Sequence, residues 1–144
     1  MRTLAYANTP GHIAEAGTLL DATDAAAGPR LREDGDLALE AAYARGVFHF
    51  QQLQVAPALE AYRRADQLQR RLRPDDAMMA VAIRGDLADG TLRQGDTKGA
   101  IAQLRAILAD PLFDARRVGE GRMASHRIML ARALRGLGEY DEAL

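Results

Sequence analysis

The chain has no cysteine and no tryptophan, and only 5% of its 144 residues are aromatic. Without cysteine, disulfides and thiolate metal sites are excluded, and the chain suits a reducing compartment. Scarce aromatics beside abundant Ala, Leu and Arg favour packed helices over sheets. No apolar run approaches the roughly 20 residues that a membrane-spanning helix requires. The opening MRTLAYANTPGH also lacks the apolar core of a secretion signal, so a cytoplasmic location is expected. Charge of one sign is missing too: 19 Lys and Arg against 20 Asp and Glu leave a formal net charge of −1. That balance gives no support for a nucleic-acid-binding domain or an acidic tail.

What is present suits a folded domain. Hydrophobic residues make up 48% and charged residues 27%, which is the composition of a globular chain rather than a disordered one. Its length suffices for one domain with a real core.

Taken in order, Thr9-Pro10 is a helix start, with Thr as N-cap and Pro at the first helical position. Ile13, Ala16, Leu19, Leu20 and Thr23 recur at helical spacing until Gly28-Pro29 stops them, which predicts a helix over Pro10 to Ala27. Arg30 to Gly35 read as a connector. Asp36 then caps a second helix through Leu39, Ala42, Tyr43, Gly46, Val47 and Phe50, ending between Gln51 and Gln54. A third restarts at Val55-Ala56-Pro57 and ends before Pro74. A fourth is capped by Asp75 or Asp76 and closed by Gly95; a fifth runs from its cap Asp96 to Asp110-Pro111. Pro111 to Gly121 has weak periodicity and reads as mostly loop, and a sixth helix covers Arg122 to Gly136. No alternating strand pattern appears.

The helices carry an internal ruler. Ala16, Ala58, Ala100 and Ala143 open corresponding segments at spacings of 42, 42 and 43 residues. Four residues after the first three stand Leu20, Tyr62 and Leu104. Twelve before the last three stand the small residues Gly46, Ala88 and Ala131. Small, large and turn positions agree jointly, which is the mark of a repeat architecture.

The best copy is the last stretch, IMLARALRGLGEYDEAL from Ile128 to Leu144. It resembles a tetratricopeptide repeat: Leu130-Ala131 stand at the Leu-Gly pair, Leu134 at the first-helix aromatic, Gly138 in the turn and Ala143 at the close-contact alanine. Arg127 stands where that family has Trp. The period is similar to the long-repeat variety of about 42 residues found in kinesin light chains and in bacterial regulatory proteins, among them transcription activators and kinase-associated regions. The resemblance implies an all-α, right-handed superhelical array of antiparallel helical hairpins, a TPR-like α-solenoid. It divides a single domain, 1–144, into units at about 1–29 (partial), 36–73, 75–110 and 121–144 (partial). Because both ends fall inside a unit, a piece of a larger regulatory protein is expected, with any effector domain elsewhere.

Candidate chemistry is sparse. His12, His49 and His126 lie far apart with no partner at metal-ligand spacing, and Gly119-Glu120-Gly121 lacks the Lys-Ser/Thr of a phosphate loop. Ser125 and His126 are sequence neighbours that point about 100° apart on a helix, so they make no nucleophile–base pair. The arginines Arg63, Arg64, Arg70, Arg71 and Arg73 read as a solvated outer face, with Glu60 and Asp66 four residues before Arg64 and Arg70. An anionic partner is the alternative for that stripe. No catalytic residue, metal or cofactor is assigned, and a non-enzymatic protein is expected.

By the resemblance, the first helix of each unit lines a concave groove. That groove would present Tyr43, Val47, Phe50 and Gln51, then Asp89 and Arg93, then Ile128, Arg132 and Arg135. Tyr43, Ala44, Val47, Ala82 and Asp86 stand where chaperone-binding members carry Lys and Asn, which argues against a carboxylate clamp. Tyr43 and Phe50 can equally be inter-repeat core. The expected function is a protein–protein interaction scaffold with a protein or peptide partner. Alternatives are a small-molecule or peptide sensor, or a homodimer formed through Met129, Leu130, Ala133, Leu134 and Leu137 of an uncovered C-terminal helix.

Overall fold

The computed structural model describes residues 10–27 and 35–138, and the regular elements among them are all helical. α1 spans Pro10–Ala27, α2 Gly35–Gln51, α3 Val55–Leu72, α4 Ala77–Arg93 and α5 Thr97–Ala109. A 3-10 turn at Pro111–Phe113 and the short α6, Ala115–Val118, lead into α7, Glu120–Gly136. Among the described residues no helix is long and apolar enough to cross a membrane.

Local chemistry sets the boundaries. Of the two candidate caps for α4, Asp76 is the one used: its carboxylate accepts the Met79 N–H at 3.0 Å, and Asp96 does the same for Gly99 at 2.9 Å ahead of α5. Each satisfies a first-turn donor that has no partner within the helix. Gly95 and Gly138 end their helices at φ of 90° and 79°, the left-handed region that turns need. α2 begins at Gly35, so Asp36 sits inside its first turn rather than before it. Thr9, Gly28-Pro29 and Ala143 lie outside the described residues.

The stretch from Pro111 to Gly121 departs from the sequence expectation of loop. Asp110 accepts the Leu112 N–H at 2.9 Å and Asp114 accepts the Arg116 N–H at 2.9 Å, which caps two pieces in succession. Each piece is three or four residues long, too short for a periodic pattern to register. Their anchors Phe113 and Val118 are buried. α7 accordingly starts at Glu120, two residues ahead of Arg122.

Chain direction follows from which residues meet. Gly35 faces Leu72 and Gly46 faces Tyr62, so advancing along α2 means retreating along α3: the pair is antiparallel. Leu59 against Gly90 and Asp66 against Arg84 give the same relation between α3 and α4. Between α2 and α4 the rule changes. Tyr43 meets Asp86 and Phe50 meets Arg93, both separated by 43 residues, so these helices lie parallel. α7 joins the row where His126 rests on Gly85.

The ruler positions of the central helices are buried. Ala58, Tyr62, Ala100 and Leu104 are fully buried, and Gly46 and Ala88 are buried on their first helices. A Cβ placed on Gly46 would come within 2.3 Å of the Tyr62 ring, so this crossing requires glycine. Ala16 and Leu20 on α1 are only half-buried. One core cluster gathers Leu39, Leu59, Tyr62 and Ile83; a second gathers Val81, Leu104, Ile107, Phe113 and Met123. Each large side chain so buried contributes about 1.5–3 kcal/mol. An ion pair also recurs: Asp24 on α1 reaches Arg45 on α2, and Asp66 on α3 reaches Arg84 on α4. The two acids stand 42 residues apart and the two arginines 39, so the pairs share a role but not one register.

Candidate functional site: the face shared by α2, α4 and α7

Parallel packing of α2 against α4 brings side chains 43 residues apart into register. Tyr43 donates its hydroxyl to Asp86 Oδ2 at 3.1 Å. About two turns further on, the Arg93 guanidinium lies 4.6 Å from the centre of the Phe50 ring and pairs with Asp89 at 3.3 Å. Tyr62 of α3 lies beneath, its ring 5.9 Å from Tyr43 and 6.2 Å from Phe50. From α7, Arg122 extends its charge toward Asp86 and His126.

Electrostatics follow burial. Asp86 is held above the usual carboxylate range, first by burial and then by the charge of Asp89, against the hydrogen bonds from Tyr43 and Tyr62 and the nearby Arg122. Burial, then the Asp86 carboxylate, pushes the Tyr43 phenol up to about 12, so Tyr43 donates at any physiological pH. Tyr62 is raised further by the same causes. His126 moves the other way, because burial and the Arg122 charge both disfavour the imidazolium. Its Nδ1 is buried without a hydrogen-bond partner among the described residues. Tyr43, Val47 and Phe50 are half-buried against the first core cluster, so they serve the core and the face together. Gln51 is exposed at the end of α2.

Six residues expected in the groove, Tyr43, Val47, Phe50, Gln51, Asp89 and Arg93, lie on α2 and α4; the structure brings Tyr43 to Asp86, and Arg93 to both Phe50 and Asp89. Ile128, Arg132 and Arg135 are exposed on α7. On α7 it is His126 that packs on Gly85, while the exposed Arg122 acts on Asp86 only through its charge. His126 and Ile128 stand two positions apart, about 200° around a helix. Asp86 was visible in sequence only as a misfit to the chaperone clamp. Arg122 and His126 had no signal, since a helix that buries both flanks has no single apolar stripe to mark its faces.

The other candidates resolve as structure. Arg70 pairs with Asp66 at 2.8 Å, and Arg73 with Asp36 at 2.8 Å and Glu40 at 3.3 Å, while Arg63, Arg64 and Glu60 are exposed. Ser125 returns its hydroxyl to the Gly121 carbonyl at 3.0 Å. Among the described residues no group of His, Asp and Glu could hold a metal ion. The expectation of an uncovered apolar side on α7 is corrected. Ala133 and Leu134 are buried with Ile101, Met129 and Leu130 are half-buried, and only Ile128 (53%) and Leu137 (39%) remain strongly exposed. α5 already covers that side.

The described residues form an all-helical fold of antiparallel helix pairs with a mixed aromatic and charged face. Comparison of the chain with protein-family models, curated proteins and solved structures gives no match.

Proposed function

We propose that this chain is a non-enzymatic interaction scaffold of the tetratricopeptide type, a right-handed array whose first-helix face takes a protein or peptide partner. The observation that carries the reading is the 43-residue register between α2 and α4, which sets Tyr43, Phe50, Asp86, Asp89 and Arg93 side by side. Energetics support it. A partly exposed cation–π contact contributes about 0.5–1 kcal/mol and an exposed ion pair about 0.2–1 kcal/mol, so Arg93 does little for stability where it stands. A partner that excludes water from the same group would make those contacts stronger. By its likeness to long-repeat proteins, the scaffold would belong to a bacterial regulatory or signalling protein.

A random peptide library displayed on phage and panned against the chain tests this. Selected peptides should lose at least tenfold in affinity on Arg93→Glu, and should bind a double Arg63→Glu, Arg64→Glu variant as well as the parent. Peptides indifferent to Arg93 and dependent on Arg63 and Arg64 would move the function to the outer face.

A further inference from the structure

One kind of joint occurs twice in the fold, with different backing. Between α3 and α4, Arg84 holds Asp66 at 3.1 Å, and α3 buries Ala58, Leu59, Tyr62, Ala65 and Leu68 around that joint. Between α1 and α2, Arg45 holds Asp24, reaches Asp21 at 3.5 Å and donates to the Leu20 carbonyl at 3.5 Å. One turn along α2, the Phe48 ring lies against Gly17. Gly17, Asp21 and Asp24 follow at four- and three-residue spacing, so a single strip of α1 meets Arg45 and Phe48 and the two helices run antiparallel. Nothing seals that strip: no residue from Gly11 to Ala26 is buried, and Leu19 is 61% exposed.

A hollow of about 340 Å3 remains where α1, α2 and α3 meet, lined by Ala41, Ala61 and Arg64 besides Asp24 and Arg45. Close-packed interiors leave no void of that size, so α1 rides on α2 without sinking into it. The helix also has little of its own to hold it. Gly17, Thr18 and Thr23 are poor helix formers, and short helices are marginal in water unless tertiary packing supports them. Elements with few buried apolar contacts open before the rest of a fold, so the two carboxylates on Arg45 weigh heavily in keeping α1 in place. The Arg45 side chain is twice as exposed as that of Arg84, 29% against 14%, which leaves its ion pairs open to screening by salt.

We propose that α1 is a releasable helix, which leaves α2 as one unit while α2 to α7 stay folded, with Arg45 as an ionic catch that salt loosens. Release uncovers Arg45 and Phe48. Arg45 stands two positions from Tyr43 and so about 200° around α2, away from the face shared with α4 and α7. The device stands whether or not that face binds a partner.

Amide hydrogen exchange of the full chain, read segment by segment by mass spectrometry, tests the proposal. Amides of α1 should exchange about tenfold or more faster than those of α3 and α4, yet more slowly than an unstructured chain. Salt at about 1 M, where the screening length falls to about 3 Å, should speed α1 and leave α3 to α5 unchanged. Arg45→Glu should speed α1 about threefold or more in low salt, and Asp21→Lys combined with Asp24→Lys should do the same. All three substitutions together exchange the two signs and should restore the parent protection of α1. The proposal is overturned if α1 is protected as strongly as α3 and α4, or not protected at all. It is overturned equally if α1 ignores salt or either charge reversal, if the triple variant recovers nothing, or if α3 to α5 lose protection along with α1. Should Arg45→Glu fail to fold, the pair on α1, at positions that are not buried, decides with the salt response.

Discussion

Gly46 shows how one residue fixes a helix crossing. Replacing it with alanine gains about 1 kcal/mol in helix propensity, yet the new Cβ would meet the buried Tyr62 ring at 2.3 Å. Overpacking of that kind costs about 1–3 kcal/mol or more, and the ring has core on every side, so the steric term wins. Gly46→Ala should therefore lower the unfolding midpoint in urea, and an unchanged or raised midpoint would show that α2 and α3 cross elsewhere. His126 and Asp86 give the pH dependence. The folded pKa of His126 lies below its unfolded value near 6.5, so the unfolded chain takes up the proton first. Its stability contribution is full above about pH 6.5 and is lost as pH falls through that value toward the folded pKa. Asp86 is raised, so its ionisation works against folding as pH rises above the ordinary carboxylate range. Thermal melts should show the parent losing more between pH 7.5 and 5 than His126→Gln loses. Asp86→Asn, which still accepts from Tyr43, should be at least as stable as the parent at pH 7.5.

At the scale of elements, Pro10–Ala27 and Thr97–Ala109 matched the expected bounds, and Val55–Leu72 started where expected and ended two residues before Pro74. The segment from Asp110 to Gly119 was not legible, since its order comes from two aspartate side chains and two buried anchors rather than from a repeating face. The pairing of elements was legible through small residues: the interval from Ala58 to Ala100 marks two positions that the structure buries completely. Ala100→Phe should force α4 and α5 apart at a cost of about 1–3 kcal/mol, while alanine to arginine at the exposed Ala102 should change stability by less than about 0.5 kcal/mol. Chemical denaturation of the two variants checks this, and equal midpoints would break the 42-residue register.

For the whole molecule, each helix packs chiefly on its neighbours in sequence, so stability is close to a sum of local terms and a surface can be built from three helices that are not consecutive. That surface was half legible. The tetratricopeptide resemblance implied Tyr43, Val47, Phe50, Gln51, Asp89 and Arg93 together with Ile128, Arg132 and Arg135; the structure sets Tyr43 on Asp86 and Phe50 on Arg93 and leaves the last three exposed on α7. The structure rotates α7 to bury Ala133 and Leu134 on Ile101, which carries His126 inward and those three outward. Registers between helices are decided by packing, and a single sequence records packing only where a small residue forces it. The proposed function places partner binding on the α2, α4 and α7 face. Photo-crosslinking in cells tests it most directly, with a benzophenone side chain placed in turn at Gln51, Arg93 and Arg63 of the intact protein. A discrete crosslinked partner is expected from Gln51 and Arg93 and none from Arg63; a partner captured from Arg63 alone would move the binding surface to the outer face.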